Sequence, residues 1–255
     1  MSDIIGVIPA RMTSTRLPEK PLALIEGRPL IAWVVDAARE ARKLDRIVVA
    51  GDDEAIIRAA EAAGAEARLT RDDHPSGTDR VAEVAASVPA SIYVNIQGDE
   101  PEIEGSTIDA VAALLENDTE LDMATAAVEL SEVDDFLSPH RVKVVCDLMG
   151  RALYFSRAPI PHPRLDPGEK GQRLPMGAAR AWGHVGIYAY RRDALLRLVE
   201  APPSPLEICE KLEQLRALQA GLKIGVVLVD HAAAGIDTPE DLESFRRRVG
   251  TTEGD

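Results

Sequence analysis

Three cationic side chains near the start of the chain are spaced so that they could bind phosphate. Arg11, Arg16 and Lys20 lie within ten residues, in a polar loop that follows a short apolar run. A guanidinium pairs with two phosphate oxygens at once and an ammonium acts as a point charge, so the set suits a polyphosphate. The alternative is a solvated basic loop. A cluster of cations is less expected by chance here, because the whole chain has a net charge of −14.

Two secondary-structure elements must position this loop. The run Ile4–Ile8 is too short for a helix and rich in β-branched residues, which predicts a buried strand that ends at Pro9. After the loop, Pro29 and a set of spaced apolar residues predict a helix. That set is Leu30, Ile31, Val34, Val35 and Ala38. A strand, a basic loop and a helix in this order form half of a nucleotide-binding unit, with the loop at the carboxyl edge of the sheet.

A carboxylate occupies a comparable place after another predicted strand. The apolar run Ile92–Ile96 leads directly into Gln-Gly-Asp-Glu-Pro, so Asp99 lies at the carboxyl end of a central strand. A metal–triphosphate complex binds at such an edge, and Gly98 lets the chain turn close to a ligand. The alternative is a turn ahead of the helix that follows Gly105. From the residues alone, the two interpretations are equally supported.

The polar segment Thr70–Arg80 is a third candidate for ligand binding. It leads into the helical stretch Val81–Ser87, which either Ser76 or Thr78 would cap. Backbone N–H groups around Ser76 and Gly77 could meet a phosphate or the edge of a base. An ordinary capped loop explains the same residues equally well.

Composition limits the class of protein. A hydrophobic content of 45% and a charged content of 28% are typical of a globular protein, and 255 residues allow one large α/β domain. The net charge of −14 would repel nucleic acid and anionic membranes over most of the surface, so neither is an expected partner. The sequence has neither a signal-peptide pattern nor an apolar run of transmembrane length, from which we expect a cytoplasmic protein.

Six separate stretches resemble, in the same order, the 3-deoxy-manno-octulosonate (Kdo) cytidylyltransferases of the sugar nucleotidyltransferase superfamily. The first reads Pro-Ala-Arg-x-x-Ser-Thr-Arg-Leu-Pro-x-Lys-Pro-Leu, and the others begin at Thr70, Gln97, Leu153, His184 and Leu206. The resemblance implies transfer of CMP from CTP to Kdo, with release of pyrophosphate, in lipopolysaccharide biosynthesis. It also implies an Mg²⁺ cofactor and a homodimer.

The resemblance further implies a role for each of a set of residues. Nucleotide contacts would come from Pro9, Ala10, Arg11, Arg16, Lys20, Arg71, Ser76 and Gly77. Sugar contacts would come from Gln97, Arg157, His184, Tyr188, Glu213 and Gln214, with Arg157 facing the sugar carboxylate. The metal ligands would be Asp99 and Asp237, and the catalytic group would be these two aspartates with Lys20 and Arg11.

The alternation of strands and helices predicts a three-layer, Rossmann-like α/β fold with a mostly parallel mixed sheet. We expect one nucleotidyltransferase domain over residues 1–250, a sugar-binding and dimerisation sub-region at about 130–200, and a flexible tail at 251–255. Residues 161–181 contain four prolines and lack periodicity, which predicts a mobile loop. A capping box at Ser204 predicts the start of a single helix that runs to about Ala220.

Three other functions remain open at this point. A cytidylyltransferase for another acidic sugar, such as 8-amino-Kdo or sialic acid, would use the same motifs. A non-catalytic nucleotide sensor on the same fold is disfavoured because both Asp99 and Asp237 are present. A dinucleotide oxidoreductase is disfavoured because no Gly-x-Gly-x-x-Gly follows the first predicted strand.

Overall fold

The computed structural model describes residues 3–13, 16–164, 174 and 180–252, and these form strands and helices that alternate along most of the chain. The strands are β1 (Ile4–Ala10), β2 (Leu24–Ile25), β3 (Arg28–Pro29), β4 (Arg46–Gly51), β5 (Glu66–Leu69), β6 (Ile92–Asn95), β7 (Met123–Glu129), β8 (Lys143–Cys146), β9 (Ala152–Ser156), β10 (Trp182–Arg191) and β11 (Ile224–Leu228). The helices are α1 (Leu30–Arg39), α2 (Glu54–Ala62), α3 (Gly77–Ser87), α4 (Gly105–Asn117), α5 (Val133–Leu137), α6 (Arg192–Glu200), α7 (Pro205–Glu210), α8 (Gln214–Gln219) and α9 (Pro239–Thr252).

A nine-stranded sheet forms the centre of the molecule. Its main path follows the order β11-β7-β10-β6-β1-β4-β5, and β8 and β9 extend from one end of β10. Four neighbouring pairs of this path are parallel, and the two pairs that involve β10 are antiparallel. The predicted mostly parallel mixed sheet is therefore confirmed.

Helices cover both faces of the sheet, because side chains alternate between the two faces of each buried strand. In β1, Ile4 and Ile8 pack in the core shared with α1, α2, α4 and α9, whereas Ile5 and Val7 pack in the core shared with α3, α6 and α8. The apolar set that predicted α1 is fully buried. The arrangement is the predicted three-layer α/β fold.

The first strand continues past Pro9, which differs from the sequence prediction. Pro9 pairs with Ala50 of β4 and Ala10 pairs with Gly51, whereas pairing with β6 ends at Val7. The carbonyl of Pro9 faces the chain that leaves β6. The missing N–H of the proline therefore falls beyond the β6 ladder and breaks none of its hydrogen bonds.

The predicted single helix from Ser204 to about Ala220 is wrong. The capping box is present, with Ser204 and Glu207 bonded reciprocally, but α7 ends at Glu210. Lys211 then adopts a left-handed conformation, with φ 56 and ψ 48, and α8 begins at Gln214. The break turns the chain so that Leu212 and Leu215 are buried, whereas Leu206 in α7 stays exposed.

Parts of two other predictions lie outside the described residues. The predicted mobile loop at 161–181 is described only at 161–164, 174 and 180–181. The predicted flexible tail at 251–255 begins within the end of α9, which extends to Thr252, and residues 253–255 are not described. Within the ranges that the structure covers, none of the helices is long and apolar enough to cross a membrane.

Candidate active site

A cavity of about 560 Å³ opens at the carboxyl ends of β1 and β6. Ten of the residues predicted to act in binding or catalysis line it: Pro9, Ala10, Arg11, Arg16, Lys20, Ser76, Gly77, Gln97, Asp99 and Asp237. Six predicted residues are not in its lining: Arg71, Arg157, His184, Tyr188, Glu213 and Gln214. The cavity therefore brings together both predicted metal ligands and all of the predicted nucleotide residues except Arg71, from four separate stretches of the sequence.

Lys20 joins the two predicted metal ligands. Its Nζ lies 2.6 Å from Oδ2 of Asp99 and 3.0 Å from Oδ1 of Asp237. Arg16 also contacts Asp237, with its guanidinium 3.1 Å from Oδ2. The ammonium and the two carboxylates are thus held around one point at the floor of the cavity.

A third carboxyl group lies within the electrostatic field of this pair. Burial, together with the negative charges of Asp99 and Asp237, raises the pKa of Glu100 from 4.5 to about 8. Such a shift requires the three acidic groups to be close together in a poorly solvated place. Glu100 was not among the site residues predicted from the sequence, although it follows Asp99 directly.

The donor set of the pair fits a hard divalent cation. Carboxylate oxygens are ligands that Mg²⁺ accepts, and Mg²⁺ is commonly held by one or two protein carboxylates together with substrate phosphates. Across the described ranges, no group of three or more His, Cys, Asp or Glu side chains is arranged to hold a metal by itself. Asp99 and Asp237 could therefore hold Mg²⁺ if a phosphate-bearing ligand supplied further oxygens.

The start of α3 forms the side of the cavity that holds two predicted nucleotide residues, Ser76 and Gly77. Ser76 caps this helix and accepts a hydrogen bond from the backbone N–H of Asp79 at 3.3 Å, which confirms one of the two predicted caps. Gly77 lies against the ring of Pro9, where an added Cβ would be 3.2 Å from Cγ. The helix N-terminus is thus packed directly on the end of β1, and Ser76 and Gly77 both line the cavity.

Arg80 lines the cavity, although it was not among the site residues predicted from the sequence. The residue is only 3% exposed, and its guanidinium donates to Thr70 Oγ1 at 2.5 Å, to the carbonyl of Arg71 at 3.0 Å and to Asp52 at 3.2 Å. Burial lowers its pKa, and the carboxylate of Asp52 opposes that change. Asp52 also accepts a hydrogen bond from the N–H of Met12 at 2.9 Å, so one carboxylate fixes both the basic loop and the buried arginine.

Arg71 lies apart from the other predicted nucleotide residues. Its side chain is 67% exposed and pairs with Asp73 at 3.0 Å. Its carbonyl is fixed by Arg80, and its N–H donates to Glu83. The structure therefore fixes the backbone of Arg71 beside the buried Arg80 and places its side chain at the surface, outside the cavity lining.

Gln97 connects the cavity with β10, where two further predicted sugar residues lie. Its Nε2 donates to the carbonyl of Gly186 at 2.8 Å, at an irregularity in the pairing of β10. The rings of His184 and Tyr188 pack beside each other, with centroids 5.5 Å apart. Burial raises the pKa of the Tyr188 phenol, and the charge of Glu213 adds to this effect. These side chains form a polar wall next to the cavity.

His184 is a neutral hydrogen-bonding residue in this wall. Burial lowers its pKa from 6.5 to about 3. Thr125 Oγ1 lies 2.7 Å from the carbonyl of Ile187 and 2.9 Å from Nε2 of His184. Since the hydroxyl has one proton, donation to the carbonyl leaves its oxygen to accept from Nε2–H. We therefore assign the tautomer in which Nδ1 of His184 is unprotonated.

Glu213 and Gln214 begin α8, immediately after the left-handed turn at Lys211. Gln214 is 5% exposed, so its side chain is buried. Arg157 is held at the same turn, since its guanidinium donates to the carbonyls of Glu210 at 2.7 Å and Lys211 at 3.4 Å. The structure thus brings Arg157 to the turn that precedes two other predicted sugar residues, Glu213 and Gln214, and not to the cavity.

Comparisons with known proteins all lead to one family of enzymes. The family model described as cytidylyltransferase matches residues 5–224. The 3-deoxy-manno-octulosonate cytidylyltransferase of Geobacter sulfurreducens is 46% identical over 97% of this chain and 99% of its own length. The enzyme of the same name from Pseudomonas fluorescens is 50% identical over 94% of this chain and 96% of its own length.

A solved structure has the same overall fold as this chain. It is that of a CMP:2-keto-3-deoxy-manno-octonic acid synthetase complexed with CTP, and it superposes with a TM-score of 0.90 at 41% identity. The superposition covers 98% of this chain and 100% of the other.

Proposed function

Because the chain belongs to the 3-deoxy-manno-octulosonate cytidylyltransferase family, we propose that it transfers CMP from CTP to Kdo and releases pyrophosphate. The observation that carries this proposal is the charge of the cavity. Four cations, Arg11, Arg16, Lys20 and Arg80, line it together with only two carboxylates, in a protein of net charge −14. Such a site attracts a triphosphate and offsets the charge that develops on pyrophosphate as it leaves.

In the proposed reaction, the anomeric hydroxyl oxygen at C2 of Kdo attacks the α-phosphorus of CTP. A new P–O bond forms, the bond to the β-phosphate oxygen breaks, and the hydroxyl proton passes to solvent. The reaction depends on positioning and charge neutralisation rather than on a covalent enzyme intermediate. Arg11 and Arg16 would hold the phosphates. The ammonium of Lys20 would leave one of the two carboxylates that it contacts and would bind an oxygen of the departing pyrophosphate instead.

Asp99 and Asp237 would hold Mg²⁺, because their carboxylates lie together around Lys20 and supply the oxygen ligands that Mg²⁺ accepts. When bound, the ion would offset the triphosphate charge and polarise the α-phosphoryl group. The start of α3, with Ser76 and Gly77, would receive the nucleotide, and Arg80 would keep that wall rigid from beneath.

Gln97, His184, Tyr188, Glu213 and Gln214 would contact the sugar. The neutral His184 is suited to accept a hydrogen bond from a sugar hydroxyl at Nδ1 and is not suited to act as a base at neutral pH. The relatives do not favour another acidic sugar or a sensor, because those that are reported above carry the Kdo enzyme name.

We further propose a cytoplasmic homodimer that supplies activated Kdo for lipopolysaccharide biosynthesis. Exposed apolar side chains in the turn between β8 and β9 and at the start of β9 support a contact surface: Leu148, Met149 and Leu153. Light scattering coupled to size exclusion would test the dimer, and a mass of one chain at micromolar concentration would contradict it.

Pyrophosphate release tests the proposed reaction. The purified protein is assayed with CTP, Mg²⁺ and, in separate reactions, Kdo, 8-amino-Kdo or sialic acid. We expect release with Kdo and little with the other two. Release with another acidic sugar only would change the assigned substrate, and CTP binding without release in any reaction would indicate the sensor.

A further inference from the structure

The contact between Arg157 and Glu210 is reciprocal. Nε of Arg157 donates to the carbonyl of Glu210 at 2.7 Å, and the backbone N–H of Arg157 donates to Oε2 of Glu210 at 2.9 Å. The other carboxylate oxygen of Glu210 accepts from the hydroxyl of Ser156 at 2.6 Å. We call this set of contacts the Arg157–Glu210 clasp.

The clasp joins three separate segments of the chain. Besides Glu210, the guanidinium of Arg157 reaches the carbonyl of Pro139 at 3.0 Å and that of Lys211 at 3.4 Å. It therefore connects the end of β9, the loop before β8 and the turn between α7 and α8. Each nitrogen of the guanidinium, Nε, Nη1 and Nη2, donates to a main-chain carbonyl.

A second cation holds the same backbone from inside the protein. Lys143 is fully buried, and its ammonium donates to the carbonyls of Ser138 at 2.8 Å, Arg141 at 2.6 Å and Arg157 at 2.7 Å. Three acceptors satisfy the three protons of an ammonium. The main chain at Arg157 is thus fixed independently of what its side chain binds.

The turn that the clasp holds has a conformation that is unfavourable for a non-glycine residue. Lys211 lies in the left-handed region, and Arg157 donates to its carbonyl and to that of Glu210, at the C-terminal end of α7. Glu213 and Gln214 follow within three residues. The direction in which α8 leaves the turn, and hence the placement of both side chains, depends on this conformation.

We propose that Arg157 is a positioning residue, which fixes the turn at Lys211 through the Arg157–Glu210 clasp and thereby places Glu213 and Gln214 for the sugar. It does so without contacting the sugar carboxylate itself. This inference rests on the proposed function, because it requires that α8 contributes to sugar binding. It also differs from the role that the sequence resemblance implies for Arg157.

The first test compares variants that break the clasp from either side. Arg157→Ala and Glu210→Ala should each raise KM for Kdo by about tenfold, the scale of a lost hydrogen bond to a charged group. KM for CTP should stay within about twofold of the parent value. KM for Kdo in the double variant should be no higher than in the more impaired single variant, because both substitutions act through the same turn. Asp109→Ala is the matched control, since that carboxylate accepts the backbone N–H groups of Arg42 and Lys43 away from the site.

The second test separates positioning from direct contact with the carboxylate. Kdo and its carboxamide are compared as competing ligands, by their inhibition constants, in the parent and in Arg157→Ala. If Arg157 only positions α8, the inhibition constants of both ligands should rise by the same factor in Arg157→Ala. Tighter binding of the acid than of the carboxamide should then persist. Loss of that preference in Arg157→Ala would overturn the proposal and assign the carboxylate contact to Arg157.

Two controls keep these outcomes distinct from misfolding and from failure of the proposed reaction. Glu210→Gln retains an acceptor oxygen and should restore much of the affinity for Kdo, whereas a globally unfolded variant would lose CTP binding as well. An unchanged KM for Kdo in a folded Glu210→Ala would also overturn the proposal. If the parent protein itself fails to use Kdo, the proposed function fails, irrespective of the clasp.

Discussion

The backbone N–H of Ile236 donates a hydrogen bond to the carbonyl oxygen of Asp99 over 2.8 Å. This bond ties the segment that precedes α9 to the end of β6. It places Asp237 next to Asp99, although the two aspartates are far apart in the sequence. The capping contacts of Thr238 and Asp241 fix the other side of Asp237, whose N–H donates to Asp241 at 3.1 Å.

The proposed metal role of Asp237 predicts a strong loss of turnover in Asp237→Asn. The amide keeps the shape of the side chain but removes one of two negative charges that would hold Mg²⁺, so we expect turnover to fall about a hundredfold. Pyrophosphate release is measured over a range of Mg²⁺ concentrations. Asp230→Asn, an exposed aspartate in the same connection, is the control. Near-normal turnover of Asp237→Asn at limiting Mg²⁺ would contradict the two-aspartate site.

The close approach of β1 and the end of β6 predicts that Gly98→Ala is destabilising. An added Cβ would lie 2.6 Å from the carbonyl oxygen of Pro9, so one of the two backbones must move. We expect the free energy of unfolding to fall by about 1–3 kcal/mol, with a higher KM for CTP. In Gly235→Ala the new methyl meets nothing within 4 Å, and its stability should match the parent. Equal denaturation midpoints for both variants would be inconsistent with this packing.

The raised pKa of Glu100 predicts a pH-dependent gain of stability in Glu100→Gln. The folded state holds the proton up to about pH 8, whereas the unfolded chain releases it near 4.5. Folding of the parent therefore weakens as pH rises through this window, by up to about 1.4 kcal/mol per pH unit. Urea titrations should show that the free energy of unfolding of Glu100→Gln rises relative to that of the parent from pH 5 to pH 8. Glu102→Gln, which removes a carboxylate from an exposed ion pair with Arg248, should show no such rise. The same dependence of unfolding free energy on pH in both variants would refute the raised pKa of Glu100.

The lowered pKa of His184 predicts the opposite dependence. Below about pH 6.5 the unfolded chain binds a proton that the buried imidazole does not accept until about pH 3. Parent stability is therefore lost as the pH falls through this window, at up to about 1.4 kcal/mol per pH unit. His184→Gln removes this contribution, so its stability relative to the parent should rise as pH is lowered from 7 to 4. The exposed His140 provides the control substitution His140→Gln. A constant difference between His184→Gln and the parent would show that the imidazole is not held neutral.

Local sequence patterns were sufficient where one element decides its own structure. The β-branched run of β1, the apolar face of α1 and the cap at Ser76 all form as predicted. The residues that meet in the cavity were grouped through motifs, because their convergence depends on sheet order and on contacts such as that between Ile236 and Asp99.

The failures have a common cause in long-range contacts. The apolar stripe continues past Glu210, so the pattern predicts one helix, and only the packing of Leu212 and Leu215 with the clasp at Arg157 accounts for the break. In the local sequence, nothing distinguishes Arg80, in the first turn of α3, from a surface residue. Its burial depends on Asp52 and Thr70, which belong to other parts of the sheet edge.

The formation of a phosphodiester between CMP and Kdo tests the central proposal most directly. The protein is incubated with CTP, Kdo and Mg²⁺, and the products are followed by phosphorus NMR, with Lys20→Met in parallel. We predict one CMP–Kdo phosphodiester for each pyrophosphate released, and a rate at least about a hundredfold lower for Lys20→Met. Pyrophosphate with free CMP and no phosphodiester, or an unchanged rate in Lys20→Met, would contradict the proposed transfer reaction.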